Sequence, residues 1–312
     1  MSSRKQKRVG GLRKTRHKYP AAHKMTCSPV VDGLKVGNSC YTPKILLTIR
    51  DAYNKDHGPD QRIRESDPEK LWVILNSRFV QCKKEDCWLN AIKDEQLRKK
   101  IDRYIFAPDK PYEWKKNPNE WLSNYDIMNV LEQYEERYKH FEFIGPTPID
   151  FDKVKHGTCI YNDLCKFNLG EQIKKGKTKI GVVFNLSPST SSGSHWVSLF
   201  IDTKARVIFY FDSAGETIPK EIKVFKDRVQ EQAKELGRGG REYHYYENHP
   251  REHQFGNTEC GIYSLFFIIT MLTGRTELHN GRLSMKRKIE LFQHRTIKDE
   301  YIEKYRNVYF ND

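Results

Sequence analysis

One stretch constrains this chain more than any other: Cys260-Gly261-Ile262-Tyr263 running directly into Ser264-Leu265-Phe266-Phe267-Ile268-Ile269-Thr270-Met271-Leu272. The run is too short to span a bilayer and reads as a buried helix. Thr273-Gly274 supplies a C-terminal stop. A helix apolar on every side must be wrapped by other elements, so the rest of the chain has to build layers around it. Cys260 falls at the N-terminus of that helix, where unpaired N–H groups and the positive end of the dipole favour a thiolate. A thiolate is a nucleophile, and a nucleophile needs a base.

The base is upstream. Residues 194–201 (Ser-His-Trp-Val-Ser-Leu-Phe-Ile) read as a strand, 202–206 as a turn, and 207–213 (Val-Ile-Phe-Tyr-Phe-Asp-Ser) as the returning strand. In an antiparallel hairpin the start of the first strand lies beside the end of the second. His195 and Asp212 occupy those two places. Asp212 would fix the imidazole tautomer, and His195 would take the thiol proton and return one to a leaving amine. Each residue type is commonplace where it stands: His on a strand, Cys before a core helix, Asp at a turn, Gln in a loop, Trp in a core. The joint order and spacing carry the inference.

The pattern resembles the SUMO-specific protease and adenain group of cysteine proteases. It has His-Trp on a strand (His195-Trp196), Asp-Ser closing the hairpin (Asp212-Ser213), and Gln254 six positions before Cys260-Gly261. A second match is Glu120-Trp121-Leu122-Ser123-Asn124-Tyr125-Asp126-Ile127, similar to the Trp-Leu-Asn-Asp-x-x-Ile opening of that group's catalytic domain; Ser123 and Asn124 depart from it. The resemblance spans residues 118–275. It implies that Gln254 and the Cys260 N–H form an oxyanion hole. It also implies that Trp121 and Trp196 clamp a Gly-Gly substrate tail. Outside that span, 86–89 (Asp-Cys-Trp-Leu) and 143–151 resemble the polyprotein-processing proteases of large DNA viruses, of the African swine fever virus type, although that viral type carries Asn where this chain has Asp212.

Composition sets the frame. The 312 residues hold 37% hydrophobic and 31% charged side chains, enough core for one large or two modest domains beneath a highly charged surface. No apolar stretch suits a transmembrane helix or a signal peptide. Seven cysteines at irregular spacing argue against a disulfide framework and for a reducing compartment. Cys82 and Cys87 offer half of a zinc site with no second pair at ligand spacing. Of the net charge of +14, nine Lys or Arg and no acid lie in residues 1–24. That tail is expected to be disordered when free, with nucleic acid or an acidic protein as its partner. It also holds Gly10-Gly11, a candidate self-processing site, while Gly239-Gly240 offers a second, better protected one.

The expected organisation is a basic tail (1–24), a mainly helical N-terminal domain (25–117) and a cysteine protease catalytic domain (118–312). Helices are predicted at 43–53, 69–75 and 88–104. The catalytic domain begins with an amphipathic helix over 121–140 in which Trp121 is among the buried positions. Strands at 179–186 and 242–247, a helix over 219–236 and a helical, charged stretch at 283–308 complete an α+β core, a mixed sheet flanked by helices with the Cys260 helix beneath it.

The expected activity is that of a cysteine endopeptidase cutting after Gly-Gly, with Cys260, His195, Asp212 and Gln254 catalytic, Trp121 and Trp196 binding substrate, and no metal or organic cofactor. The viral resemblance implies processing of structural polyproteins, in the virion or the cytoplasmic viral factory. The alternatives are an isopeptidase that removes a SUMO- or ubiquitin-like modifier, with a nuclear location if the protein is cellular, and a non-catalytic nucleic-acid-binding protein on a protease fold.

Overall fold

The computed structural model describes residues 25–236 and 242–311. The basic tail, Gly10-Gly11 and Gly239-Gly240 therefore lie outside the described residues.

The N-terminal part is helical. α1 (Pro43–Lys55) starts where Thr42 accepts from the Ile45 N–H and Pro43 pre-sets the first turn. α2 (Pro68–Arg78) repeats the device with Asp67 and Pro68. The predicted helix over 88–104 is two elements: a 3-10 segment over Glu85–Ala91, then α3 (Glu95–Ile105). The division falls at Asp94, whose side chain accepts from the Leu97 N–H and so starts a new helix.

α4 (Asn124–Arg137) opens on a complete capping box, Ser123 and Asp126 each satisfying the other's backbone N–H. The helix therefore starts at 124, not 121, and Trp121 precedes it. Trp121 is 42% exposed, against the expectation of a buried helical position. β1 (Phe141–Pro148) follows at once, a strand the sequence pattern did not suggest. After a small hairpin, β2 (Val154–Lys155) with β3 (Thr158–Cys159), come the short helices α5 (Asn162–Cys165) and α6 (Leu169–Lys174).

The main sheet then assembles from β4 (Lys179–Asn185), β5 (Trp196–Asp202), β6 (Val207–Phe211) and, after α7 (Lys220–Leu236), β7 (His244–Glu247). The strand order is β1-β4-β5-β6-β7, antiparallel through the β4-β5-β6 meander and parallel at both edges. Every residue of β5 and β6 is buried, the pattern of strands covered on both faces. On one face Val182, Leu199, Ile208 and Tyr210 meet Ile222, Phe225 and Val229 of α7. On the other, Val183, Phe200, Phe209 and Phe211 meet α8 (Cys260–Thr273). Phe211 stacks on Phe267 of α8 with ring centroids 4.7 Å apart.

Every residue of α8 is buried, and the helix ends as expected at Gly274, which adopts φ 69° to form a left-handed cap. α9 (Met285–His294), α10 (Asp299–Ile302) and α11 (Arg306–Tyr309) close over α8 and return to the N-terminal helices. One apolar cluster runs from Val30 through Trp88 and α4 to α8 and Phe310, so segment 25–117 shares its core with the sheet and with α8.

The cysteines correct the reading of their spacing. Cys27–Cys40, Cys82–Cys87 and Cys159–Cys165 are bonded pairs, leaving Cys260 as the free thiol. The partners lie 13, 5 and 6 positions apart, so each bridge staples a local loop and needs no long-range regularity. The cysteine argument for a reducing compartment thereby loses its premise. Cys82 and Cys87 bond to each other, and the described residues contain no cluster suited to a metal. No helix among them is long and apolar enough to cross a membrane.

Candidate active site

The site forms where β5 begins, β6 ends and α8 begins. His195 lies one residue ahead of β5 and Asp212 one residue past β6. The hairpin register pairs Ser198 with Phe211, which sets Asp212 opposite Val197 and diagonal to His195. That diagonal brings His195 Nε2 to 2.7 Å from Asp212 Oδ1. Asp212 is 1% exposed. Its Oδ1 also accepts from the Ala214 N–H at 2.9 Å, while Asn248 Oδ1 accepts from the Asp212 N–H and Asn248 Nδ2 donates to the Asp212 carbonyl. The carboxylate is thus fixed from both the side-chain and the backbone side.

Cys260 opens α8 and is buried. Burial works against a charge on the His195 ring, but hydrogen bonds with Asp212 and with Cys260, and the charges of both, push the ring up to about 10. The imidazole is thus bonded to the carboxylate and within electrostatic reach of the thiol. A second histidine near this corner behaves oppositely. His253 accepts from the Ile297 N–H and makes a 2.9 Å hydrogen bond from Nε2 to the Phe292 carbonyl. Burial pushes it down to about 4, and it is a neutral structural group.

Gln254 is held at the same corner. Its Oε1 accepts from Ser213 Oγ at 2.7 Å, its Nε2 donates to the Gly256 carbonyl at 3.0 Å, and its backbone N–H donates to the Ser213 carbonyl. Because Ser213 follows Asp212, one dipeptide positions both the histidine partner and the glutamine. The loop after Gln254 is clamped by Asp299, whose Oδ2 accepts from the Phe255 and Gly256 N–H groups at 2.9 and 2.8 Å. Asp299 Oδ1 accepts from Tyr263 Oη on α8.

The two tryptophans are linked through Leu122 but differ in exposure. Trp196 is buried, and its indole N–H donates to the Leu122 carbonyl at 3.0 Å. Trp121, next to Leu122, stands open to solvent. Gly261 lets Leu122 close on α8: a Cβ there would lie 2.9 Å from Leu122 Cβ. Sequence reasoning named Cys260, His195, Asp212, Gln254, Trp121 and Trp196. It quoted Ser213 without giving it a role and missed Asn248, Asp299, Glu259 and Arg306, polar residues whose partners lie far along the chain.

Residues 171–304 match the C-terminal catalytic domain of the Ulp1 protease family. The match takes in the His195–Asp212 hairpin, the Gln254 loop and the Cys260 helix, so the catalytic part of the chain is similar to this family of cysteine proteases. In relatives of viral origin the likeness extends beyond that domain. Over 258 residues, covering 77% of this chain and 82% of the other, the chain is 29% identical to a protein of Acanthamoeba polyphaga mimivirus named as a thiol protease. It is 27% identical over 247 residues to a SUMO-1 cysteine protease of African swine fever virus, covering 72% of this chain and 85% of that one. The crystal structure of an African swine fever virus protease covers 93% of this chain and 97% of its own with a TM-score of 0.59 at 21% identity. The Ulp1-type mixed sheet and the helical N-terminal part are thus a shared fold.

Proposed function

We propose that this protein is a cysteine endopeptidase with Cys260 as nucleophile, His195 as base and acid, Asp212 as its orienter and Gln254 as oxyanion donor. The observation that carries the proposal is the His195 imidazole bonded to the buried Asp212 carboxylate at 2.7 Å, with the Cys260 thiol at the head of α8 among the groups that raise the ring's pKa. Asp212 occupies Nε2, so Nδ1 is the nitrogen that takes the thiol proton. Sγ attacks the scissile carbonyl carbon, and its oxygen becomes an anion between the Cys260 N–H and Gln254 Nε2. Each such donor contributes about 3–4 kcal/mol in the transition state. The imidazolium protonates the departing amine. Water, deprotonated by His195, then hydrolyses the thioester and frees the acid product.

The substrate proposed is a protein cut after Gly-Gly. Exposed Trp121, one residue from the carbonyl that anchors buried Trp196, supports a narrow aromatic wall that leaves room for glycine. Polyprotein processing in the virion or viral factory is the substrate reading proposed, with nucleic acid or an acidic protein as the partner of the basic tail; that the relatives are viral proteases supports a viral setting. A second reading, removal of a ubiquitin-like modifier, is favoured by the name of the African swine fever virus relative, a SUMO-1 cysteine protease. The assembled corner of Cys260, His195 and Asp212 speaks against a purely nucleic-acid-binding role.

The test is cleavage of Gly-Gly peptides by wild type, Cys260→Ala and Cys260→Ser. Both variants should fold and fall below a few per cent of wild-type turnover, since a hydroxyl is a poor nucleophile here. Retained turnover in Cys260→Ala sinks the assignment. A vinyl-sulfone ubiquitin-like probe run in parallel separates the two substrate readings.

A further inference from the structure

Beside Cys260 lies a buried ion pair that the reaction steps above do not use. Glu259, the residue before the nucleophile, is 1% exposed, and Arg306 at the start of α11 is 5% exposed. Arg306 Nε donates to both Glu259 oxygens, at 3.1 and 3.0 Å, and Nη2 to Oε1 at 2.8 Å. The rest of the guanidinium reaches backbone. Nη1 donates to the Glu120 carbonyl at 2.9 Å, and Nη2 to the carbonyls of Thr258 and Asn119 at 3.3 and 3.4 Å. The plane lies over the Trp114 ring, 4.4 Å from its centroid.

We infer that Arg306 is a positioning residue for catalysis, joining the nucleophile's end of α8 to the segment that carries Trp121. The inference rests on Cys260 being the nucleophile. Two physical effects follow from the one side chain. The guanidinium balances a buried carboxylate on the residue before Cys260, which left uncompensated would disfavour a second negative charge on a nearby thiolate. The fork also fixes residues 119 and 120, so the wall formed by Trp121, Leu122 and Trp196 holds its distance from Cys260. Lysine could balance the charge but has no planar fork to reach the carboxylate and three carbonyls together.

The two effects separate experimentally. Wild type, Arg306→Gln, Arg306→Lys and Glu259→Gln/Arg306→Gln are compared at pH 7 by iodoacetamide alkylation of Cys260 and by turnover of a Gly-Gly peptide. Turnover is counted per site titrated with an irreversible thiol probe, so that a smaller folded fraction does not register. Arg306→Gln should alkylate at least fivefold more slowly and turn over at least tenfold more slowly, with a raised KM. The double variant should recover alkylation but not turnover. Arg306→Lys should keep near-wild-type alkylation and lose turnover at least fivefold. A folded Arg306→Gln within twofold of wild type in both assays overturns the inference. If Arg306→Gln does not fold, Arg306→Lys decides, and wild-type turnover there overturns it. Alkylation needs no substrate, so a wrong choice of peptide leaves that arm intact, and retained turnover in Cys260→Ala would separately refute the nucleophile.

Discussion

Asp212 meets His195 at Nε2, across 2.7 Å, and not at Nδ1. The nitrogen nearer the backbone is therefore the one left for the thiol. The carboxylate holds the ring from the far side, where the Ala214 N–H and Asn248 in turn hold the Asp212 side chain and backbone.

This geometry predicts a pH dependence. His195 is raised from 6.5 to about 10 in the fold. A group with a raised folded value adds stability below its unfolded value and loses it as pH rises towards the folded one. The pairing should therefore stabilise the protein below about 6.5 and be lost on the way to about 10. The basic limb of kcat/KM should lie near that upper value, where the imidazolium is consumed. Asp212→Asn should move the limb down, because an amide removes the carboxylate's charge. It should also keep more activity than His195→Ala, because it can still accept from Nε2. A basic limb unmoved in Asp212→Asn would contradict the assignment.

Gln254 and Ser213 form a graded pair. Gln254→Ala should lower kcat roughly a hundredfold with little change in KM, the loss typical of one oxyanion donor. Ser213→Ala keeps the donor but frees the Gln254 amide to rotate, so a loss of roughly tenfold is expected. Steady-state kinetics on the two single variants and the double variant check this, and the double should be no worse than Gln254→Ala alone.

Gly261→Ala tests the wall. The added methyl meets Leu122 Cβ at 2.9 Å, and overpacking of this kind costs about 1–3 kcal/mol. Thermal melting should show the loss. Adding Leu122→Gly, which removes that Cβ, should recover part of the stability by relieving the contact, without recovering turnover.

Lys288 tests the far end of the same helix. Its amine donates to the Met271 carbonyl, and burial, with Lys179 nearby, pushes it down from 10.5 to about 7. Between those values the unfolded chain binds a proton that the folded chain does not, so this group makes stability rise with pH across that window. Urea unfolding at about pH 7.5 and about pH 9.5, both inside the window, should give a smaller gain for Lys288→Met than for wild type. An equal gain in both would exclude Lys288 as the source.

Much of this was legible in the sequence because it is local. The helix from Cys260 declares itself by a run of apolar residues, and the hairpin that joins His195 to Asp212 needs only two strands and a turn. Gln254 was reachable only through the family pattern, since a loop glutamine has no periodicity. What escaped is non-local or capped by single side chains. β1 hid because its edge position depends on pairing with β4, far along the chain. Trp121 was placed in the helix on apolar spacing, although Ser123 with Asp126 already carried a capping-box signal that puts the helix start after it. The disulfides were missed because spacing was weighed over the whole chain, while each bridge closes one short loop.

The contact at Gly261 has a reach beyond its size. Cys260 is bonded to Gly261, Gly261 bears on Leu122, the Leu122 carbonyl anchors Trp196, and Trp196 is bonded to His195. Nucleophile and base are thus neighbours across the cleft and also opposite ends of a single closed circuit, half covalent and half contact. A circuit has no slack end. A disturbance introduced at any link, Leu122 above all, arrives at both reacting atoms from two directions.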